Sequence, residues 1–471
     1  MTALRPYQSA GLERIRAVIA AGKRRILVAS PTGSGKTVLA TEGIIRPTVA
    51  NGHRVLFVAH RIELIEQCAA KLDGLDVGII KAGHFPRPHA PVQVASVQTL
   101  ARREIPPATV VVWDECHHCV AETYRRISAA YPKAIQVGLT ATPYRTSGHG
   151  LHDCFDALVE ICNTPELINL GFLVPVRTFA PPAPDLESVH TVAGDYNQSE
   201  LAVAVDKPRL VGDVVATYQK RAAGRKAIVF AVNVEHSQHL AAAFTAAGVA
   251  CSHLDGETPA DKRREILYSL GHGSLSVVCN VGVLTEGTDI PAVSCIILAR
   301  PTKSRGLWKQ MVGRGLRTAE GKTDCILLDH AGCYHRHGLI TDCEELTLAG
   351  VRAVATKAQP VRQCLACYAV VPAGCQACDQ CGAVFPVKAA KPLEAVAGEL
   401  EEAMGTRRRT VFLSGPESRE LTRLIEYAVT WSYKAGWVGY SFKNMFHRWP
   451  CGMKEIETLM ASEREKRAVK V

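Results

Sequence analysis

An apolar run, Ile26–Ala29, opens directly into Ser30-Pro31-Thr32-Gly33-Ser34-Gly35-Lys36-Thr37, and Thr37 begins an apolar helical pattern. Strand, glycine-rich turn and helix in that order constrain the chain more than any other feature, because they read as the opening of an α/β unit. The glycines let backbone N–H groups close around phosphates, Lys36 adds a point charge, and Thr37 offers a hydroxyl to Mg2+ at a helix N-terminus. Thr32, Gly33, Ser34, Gly35, Lys36 and Thr37 are therefore candidate nucleotide contacts. Ser30 stands where the common form of such a loop has a glycine, and a glycine-rich turn without a ligand is the competing reading.

The same rhythm runs on and then repeats. Strands are expected at Ile26–Ala29, Val55–Ala59, Val92–Ser96, Val110–Asp114 and Ile135–Thr140, and again at Ala227–Ala231, Cys251–Asp255, Val277–Asn280, Ser294–Leu298 and Cys325–Asp329. Near-continuous apolar runs of this kind fit buried parallel strands. The proline-rich Ala180–Pro184 and the weakly patterned stretch to Pro208 place a boundary between the two units near residues 180–207. After about residue 345 the rhythm stops.

With 471 residues, the chain has room for roughly two to four domains. Apolar residues at 47% and charged residues at 21% exclude a wholly disordered or fibrous chain. No apolar stretch reaches the ~18 residues of a membrane span, and Met1–Gln8 lacks a secretory pattern, so a cytoplasmic protein without a membrane partner is expected. A net charge of +10 favours polyanions such as nucleic acid.

The fourth expected strand ends in Val112-Trp113-Asp114-Glu115-Cys116-His117, which delivers two carboxylates to the strand edge beside the phosphate loop. Asp114 is suited to holding Mg2+ and Glu115 to orienting the attacking water. With these residues in place, the chain resembles superfamily 2 helicases of the DExH type over roughly residues 4–345. Arg5-Pro6-Tyr7-Gln8 is similar to the family's adenine-reading segment, which implies Arg5 and Gln8 as nucleotide contacts, with Gln8 on the base. Ala59-His60-Arg61 and Ser96-Val97-Gln98-Thr99 resemble its nucleic-acid-contacting loops, and Thr140-Ala141-Thr142-Pro143 the segment that couples hydrolysis to strand movement.

Leu284-Thr285-Glu286-Gly287-Thr288-Asp289 and Gln310-Met311-Val312-Gly313-Arg314-Gly315-Leu316-Arg317 resemble the last two motifs, implying Gly287 and Asp289 as nucleotide contacts and Gln310 as part of the catalytic set. Arg314 and Arg317, three apart on a helix, can reach the γ-phosphate region as arginine fingers. Lys36 lies on the other unit, so hydrolysis should require closure between the two.

The resemblance implies two tandem RecA-like parallel-sheet domains at 1–180 and 207–345, and beyond it the cysteine spacing and the helical, aromatic-rich pattern point to a four-cysteine zinc module at 360–387 and a helical C-terminal module at 405–471. RadD-type bacterial and phage helicases are similar in the opening segment, the Val283–Gly287 region and the cysteine-rich tail, which implies a role in DNA repair, recombination or phage replication and repair or replication proteins as partners.

Of the 17 cysteines, Cys364, Cys367, Cys378 and Cys381 form two C-x2-C pairs, with Gly382 permitting a tight turn after the second. Four thiolates so arranged suit a structural Zn2+. Cys375 also makes a C-x2-C spacing with Cys378, and so leaves the ligand set open. Two further clusters, Cys116-His117-His118-Cys119 and Cys333/His335/His337, are expected to serve other ends, His117 by linking the ATP site to Gln310 or Thr140.

An ATP-dependent helicase or translocase acting on DNA is the function these motifs support best, against a duplex translocase, branch remodeller or restriction motor that separates no strands, and against an ATP-switched nucleic-acid-binding protein. Aromatic residues crowd the tail from Tyr427 to Trp449. Either they pack a small helical core or, with Arg407-Arg408-Arg409, Lys434, Lys443 and Arg448, they stack on exposed bases.

Overall fold

A computed structural model describes residues 2–145, 150–180, 186, 189–192, 194–206, 208–342, 344–351, 361–385, 415–447, 450 and 453–468, with backbone alone at 208–213, 351, 453–455 and 466–468. The chain divides into two compact units, 1–388 and 389–471.

In the larger unit, seven parallel strands form the first sheet: β1 (Arg25–Ala29), β2 (Val55–Ala59), β3 (Val77–Ile80), β4 (Val92–Ser96), β5 (Val110–Asp114), β6 (Ile135–Thr140) and β7 (Ala157–Glu160), in the order β3-β4-β2-β5-β6-β1-β7. Six more strands form a second parallel sheet: β8 (Val176–Phe179), β9 (Ala227–Phe230), β10 (Cys251–Leu254), β11 (Val277–Asn280), β12 (Cys295–Leu298) and β13 (Cys325–Asp329), in the order β10-β11-β9-β12-β13-β8. Strands such as Val55-Leu56-Phe57-Val58-Ala59 are buried at every position, as central parallel strands covered on both faces require.

The three strands that the apolar pattern leaves unassigned, β3, β7 and β8, all lie at sheet edges. Each is four residues long and half-exposed, so none carries a continuous apolar run. β8 also moves the boundary: it precedes residue 180 yet pairs with β13, so the chain passes to the second sheet before Val176. Within the expected linker, the described residues include a hairpin of Thr191–Val192 and Asp195–Tyr196 and the helix Gln198–Val205. Asp195 ties it down by accepting from Thr302 Oγ1 at 2.7 Å and from the Lys303 amide at 2.6 Å.

The cysteine-rich segment is no free-standing module. Its strands Val361–Gln363 and Val370–Pro372 pair antiparallel, and Cys364, Cys367, Ala369, Val371, Cys378 and Phe385 share a core with Phe179, Val214 and Tyr218 of the second lobe. Arg221 donates to the Cys367 carbonyl at 2.8 Å and Ala180 N to Tyr368 O at 3.0 Å.

The smaller unit contains helices Gly415–Thr430, Ala435–Phe446 and Met453–Ala468, packed around Leu421, Leu424, Ile425, Ala428, Val438, Phe442, Ile456 and Met460. Core packing absorbs Phe442, with Trp437 and Phe446 packed against it, but leaves out Trp431, which is 64% exposed, and the exposed Tyr427, Tyr433 and Tyr440. The basic run Arg407–Arg409, Arg448 and Trp449 lie outside the described residues. Among the described residues, no helix is long and apolar enough to cross a membrane.

Candidate nucleotide-binding and catalytic site

The phosphate loop connects β1 to a helical run over 36–50, whose middle, Leu39–Ile45, is wound as a π-helix. Ser30 fits its unusual position by being buried, with its hydroxyl donating to Ser34 Oγ at 2.7 Å. Gly35 has φ +79, and a Cβ there would meet Gln8 Nε2 at 2.8 Å. Both the left-handed backbone and that close approach demand glycine. Lys36 Nζ curls back to Ser30 O at 3.3 Å and Pro31 O at 3.4 Å.

β5 ends in Asp114, 5% exposed, and the chain turns sharply at Glu115, whose φ of 45 and ψ of 51 are rare for a side chain of its size. Burial, and then the neighbouring Glu115, push the Asp114 carboxyl up to about 7. Burial pushes Glu115 the same way, but Lys36 and His117 outweigh it and hold Glu115 below its ordinary value. Glu115 Oε2 is buried without a hydrogen-bond partner. Two adjacent buried carboxylates with the Thr37 hydroxyl nearby form a hard oxygen set that fits a divalent cation.

From the second lobe, helix Arg305–Gly313 arrives end-on. A Cβ at Gly313 would meet Thr32 Cβ at 2.6 Å, so only glycine lets this helix seat on the phosphate loop. Arg314, buried and drawn down to about 9 by burial and then by Arg317, donates to Thr285 O at 3.1 and 2.8 Å and to Thr288 O at 2.6 Å. Arg317 is not on the helix as expected: the helix ends at Gly313, and Arg317 lies in extended backbone bridged to Leu173, donating to Thr288 O at 2.8 Å and pairing with Asp289 at 2.6 Å.

One cleft of about 290 Å3 is lined from both lobes, and it brings together Arg5, Thr32, Gly33, Gly35, Lys36, Thr37, Asp114, Glu115, Gly287, Asp289, Arg314 and Arg317. Three residues expected there line no part of it. Ser34 is buried behind the loop. Gln8, expected on the base, has its amide engaged, donating to Ser34 O at 3.0 Å and Gly35 O at 3.2 Å while accepting from the Arg5 amide at 2.9 Å. Gln310 lines a separate cavity of about 720 Å3 together with His60, Gln98, His117, Thr142 and Glu286.

The wall between the two cavities runs from Glu115 through His117 to Glu286. His117 Nδ1 lies 3.5 Å from Glu115 Oε2 and 3.2 Å from Thr140 Oγ1, and its Nε2 lies 3.6 Å from Glu286 Oε1. Thr140 is thus a direct partner of His117, and Gln310 is reached through Glu286, to which it donates at 3.0 Å. Burial pulls His117 down, but its pairing with Glu115 and Glu286 raises it to about 9.

Two residues escaped the sequence reading. Glu286 sits inside a quoted motif but had no chemical role there, since its partners are distant in sequence. Phe172 lines the nucleotide cleft with the Arg5 guanidinium 4.5 Å over its ring, and no local pattern marks it.

The four expected zinc ligands also converge, with all their sulfurs within 4.8 Å of one another. Cys364 and Cys381 lie 3.7 Å apart and Cys367 and Cys378 3.6 Å apart. Tetrahedral Zn2+ with Zn–S of ~2.3 Å needs sulfurs ~3.8 Å apart, so the set fits the ion. Cys375 is not part of this group.

Two parallel-sheet lobes, with a phosphate loop and paired carboxylates on one and paired arginines on the other, define a nucleotide-hydrolysing motor class. Comparison with known proteins agrees. Residues 1–145 match the family described as type III restriction enzyme, res subunit, and 206–319 match the helicase conserved C-terminal domain. A 51.5 kDa protein of a Lactococcus phage is 34% identical over 77% of this chain and 78% of its own length. A Schizosaccharomyces pombe protein named as a mitochondrial ATP-dependent helicase, irc3, is 33% identical over 74% of this chain and 60% of its own length. Among solved structures, a fragment of an HsdR subunit of a type I restriction enzyme from Vibrio vulnificus YJ016 superposes with a TM-score of 0.58 at 22% identity, covering 72% of this chain and 66% of that one. The chain belongs to the superfamily 2 helicases and is an ATP hydrolase of that family.

Proposed function

We propose that the chain is an ATP-driven motor on DNA, with a role in repair, recombination or phage replication. Lys36 and the loop amides bind the phosphates, Asp114 and Thr37 hold Mg2+, Glu115 orients the attacking water, and Arg314 and Arg317 neutralise charge as the γ-phosphoryl group departs. Mg2+ supplies the charge that the β- and γ-phosphate oxygens need. Arg5 and Phe172 flank the base.

The observation that carries this reading is that side chains from both lobes line one cleft. Hydrolysis then depends on lobe closure, and lobe closure is what steps along a strand. ATP turnover measured against single-stranded, duplex, forked and RNA ligands, beside a strand-separation assay, tests it. Turnover that no nucleic acid stimulates would overturn it.

Likeness in fold to a restriction-enzyme subunit supports a second reading, translocation on duplex DNA without strand separation. Stimulation by duplex with no unwinding would select that reading.

Zn2+ on Cys364, Cys367, Cys378 and Cys381 would hold the cysteine-rich segment against the second lobe. In the helical unit, the exposed rings of Trp431, Tyr427, Tyr433 and Tyr440 support a role in stacking on unpaired bases. A Trp431→Ala variant, losing ~1–3 kcal/mol of stacking, should need more single-stranded DNA for half-maximal stimulation. An unchanged requirement would leave the rings without that role.

A further inference from the structure

Among the described residues, Glu286 is a carboxylate engaged by five side chains between the lobes. It is 7% exposed, and it belongs to the second lobe's Leu284–Asp289 loop. His60 Nε2 donates to its Oε2 at 2.8 Å, Arg61 Nε lies 3.4 Å from the same oxygen, and Gln310 Nε2 donates to Oε1 at 3.0 Å. His117 and His118 place their Nε2 atoms 3.6 and 3.9 Å from Oε1. Four of these five partners come from the first lobe. Burial alone would push such a carboxyl up, but the hydrogen bonds from His117 and His60 overcome it and hold Glu286 far below its ordinary value.

These partners fall into two groups with different work to do. His60 and Arg61 stand in the loop after β2 that resembles a nucleic-acid contact, and Arg61 also donates to Val283 O at 3.0 Å. His117 stands beside Glu115, whose carboxylate faces the nucleotide cleft. On either side of Glu286, the carbonyls of Thr285 and Thr288 hold Arg314. A shift of the His60–Arg61 loop would therefore pull on one carboxylate that is tied both to the Glu115 side chain and to the loop holding the arginine. A buried carboxylate gathered by hydrogen-bond donors from another lobe has strong preferences of position, because losing a partner leaves it less well satisfied.

We propose that Glu286 is the positioning residue that transmits occupancy of the His60–Arg61 loop by nucleic acid to Glu115 and Arg314, so that turnover rises when a strand is bound. The proposal rests on the motor reading above. It differs from a generic structural role in what it predicts: the effect falls on the ratio of stimulated to unstimulated turnover rather than on either rate alone.

The test uses the full chain and its Glu286→Ala and Glu286→Gln variants, with single-stranded DNA as the probe, monitoring thermal unfolding alongside. For Glu286→Ala, stimulated turnover should fall by about 10²-fold, the loss typical of a misplaced catalytic constellation, and the stimulation ratio should collapse towards one. The KM for ATP should move far less than the turnover. Glu286→Gln keeps one acceptor oxygen and should lie between the native chain and Glu286→Ala. Combining His60→Ala with Glu286→Ala should add little to Glu286→Ala alone, because the two residues act in series. If Glu286→Ala is stimulated as strongly as the native chain, or if both rates fall in proportion, the coupling role is overturned while the motor reading stands. If DNA does not stimulate the native chain, both readings fall together.

Discussion

Cys364 and Cys381, 17 residues apart, bring their sulfurs to 3.7 Å through two tight turns in one short segment. Lys36 and Arg314 reach one cleft because Gly313 lets the second lobe's helix close onto Thr32 of the phosphate loop, where a Cβ would lie 2.6 Å from Thr32 Cβ. The first site is assembled by local backbone geometry and the second by the docking of two sheets. A local site should therefore survive changes that open the lobes, and an assembled one should not.

Glu115→Gln offers the harshest test of the assembled site. With the carboxylate proposed to orient the attacking water removed, DNA-stimulated turnover should fall by more than ~10³-fold while ATP still binds, because the proposed phosphate and cation contacts survive. Lys36→Ala should lose turnover and binding together. Near-normal turnover in either variant, in a steady-state assay, would break the comparison at its root.

Next in size is the effect of the arginines. Arg314→Ala or Arg317→Ala should lower turnover by ~10³-fold with a modest change in nucleotide affinity, since a finger acts in the closed arrangement. Single-turnover kinetics would separate the two quantities. Equal losses in both would mean that the second lobe contributes to binding rather than to chemistry.

The cysteine cluster should respond to none of this. Metal analysis of the purified chain should find about one Zn2+, lost in Cys367→Ser and in Cys378→Ser and retained in Cys375→Ser. The metal content of Glu115→Gln and Arg314→Ala should equal that of the native chain. Loss of zinc in Cys375→Ser would show that the converged sulfurs are not the ligand set.

The smallest effect concerns His117 and sharpens the comparison through pH. Its pKa is raised in the folded chain from 6.5 to about 9, so its pairing stabilises the fold fully below the ordinary value and fades as pH rises through 9. The melting temperature of the native chain minus that of a His117→Gln variant should therefore shrink between about pH 7 and pH 10. A constant difference across that range would mean that His117 does not carry its charge between Glu115 and Glu286.

Much of the first lobe was legible. β2, β4, β5 and β6 lie at their expected residues because a strand covered on both faces must be apolar throughout, and that leaves a mark on the sequence. β3, β7 and β8 left no such mark, since an edge strand exposes one side and needs no continuous run. The placement of β8 in the second sheet could not be read from its four residues, because its partner β13 follows far along the chain. The aromatic tail divides the same way. Leu421, Leu424, Ile425 and Ala428 follow helical spacing and are buried together, but their face leaves out Trp431, and the core is closed by Val438, Phe442, Ile456 and Met460 from two other helices.

The sequence by itself determined the chemical types: a loop able to wrap phosphate, two carboxylates at a strand end, two arginines three residues apart and four thiols in paired turns. These follow from short-range spacing, which backbone geometry converts directly into placement. Only the tertiary structure decided which of these groups meet. It engaged both ends of the Gln8 amide on backbone, moved Gln310 into the neighbouring cavity and set Glu286 among His60, His117 and Gln310. Contacts between lobes depend on the approach of two surfaces rather than on local spacing, and no run of residues encodes that distance.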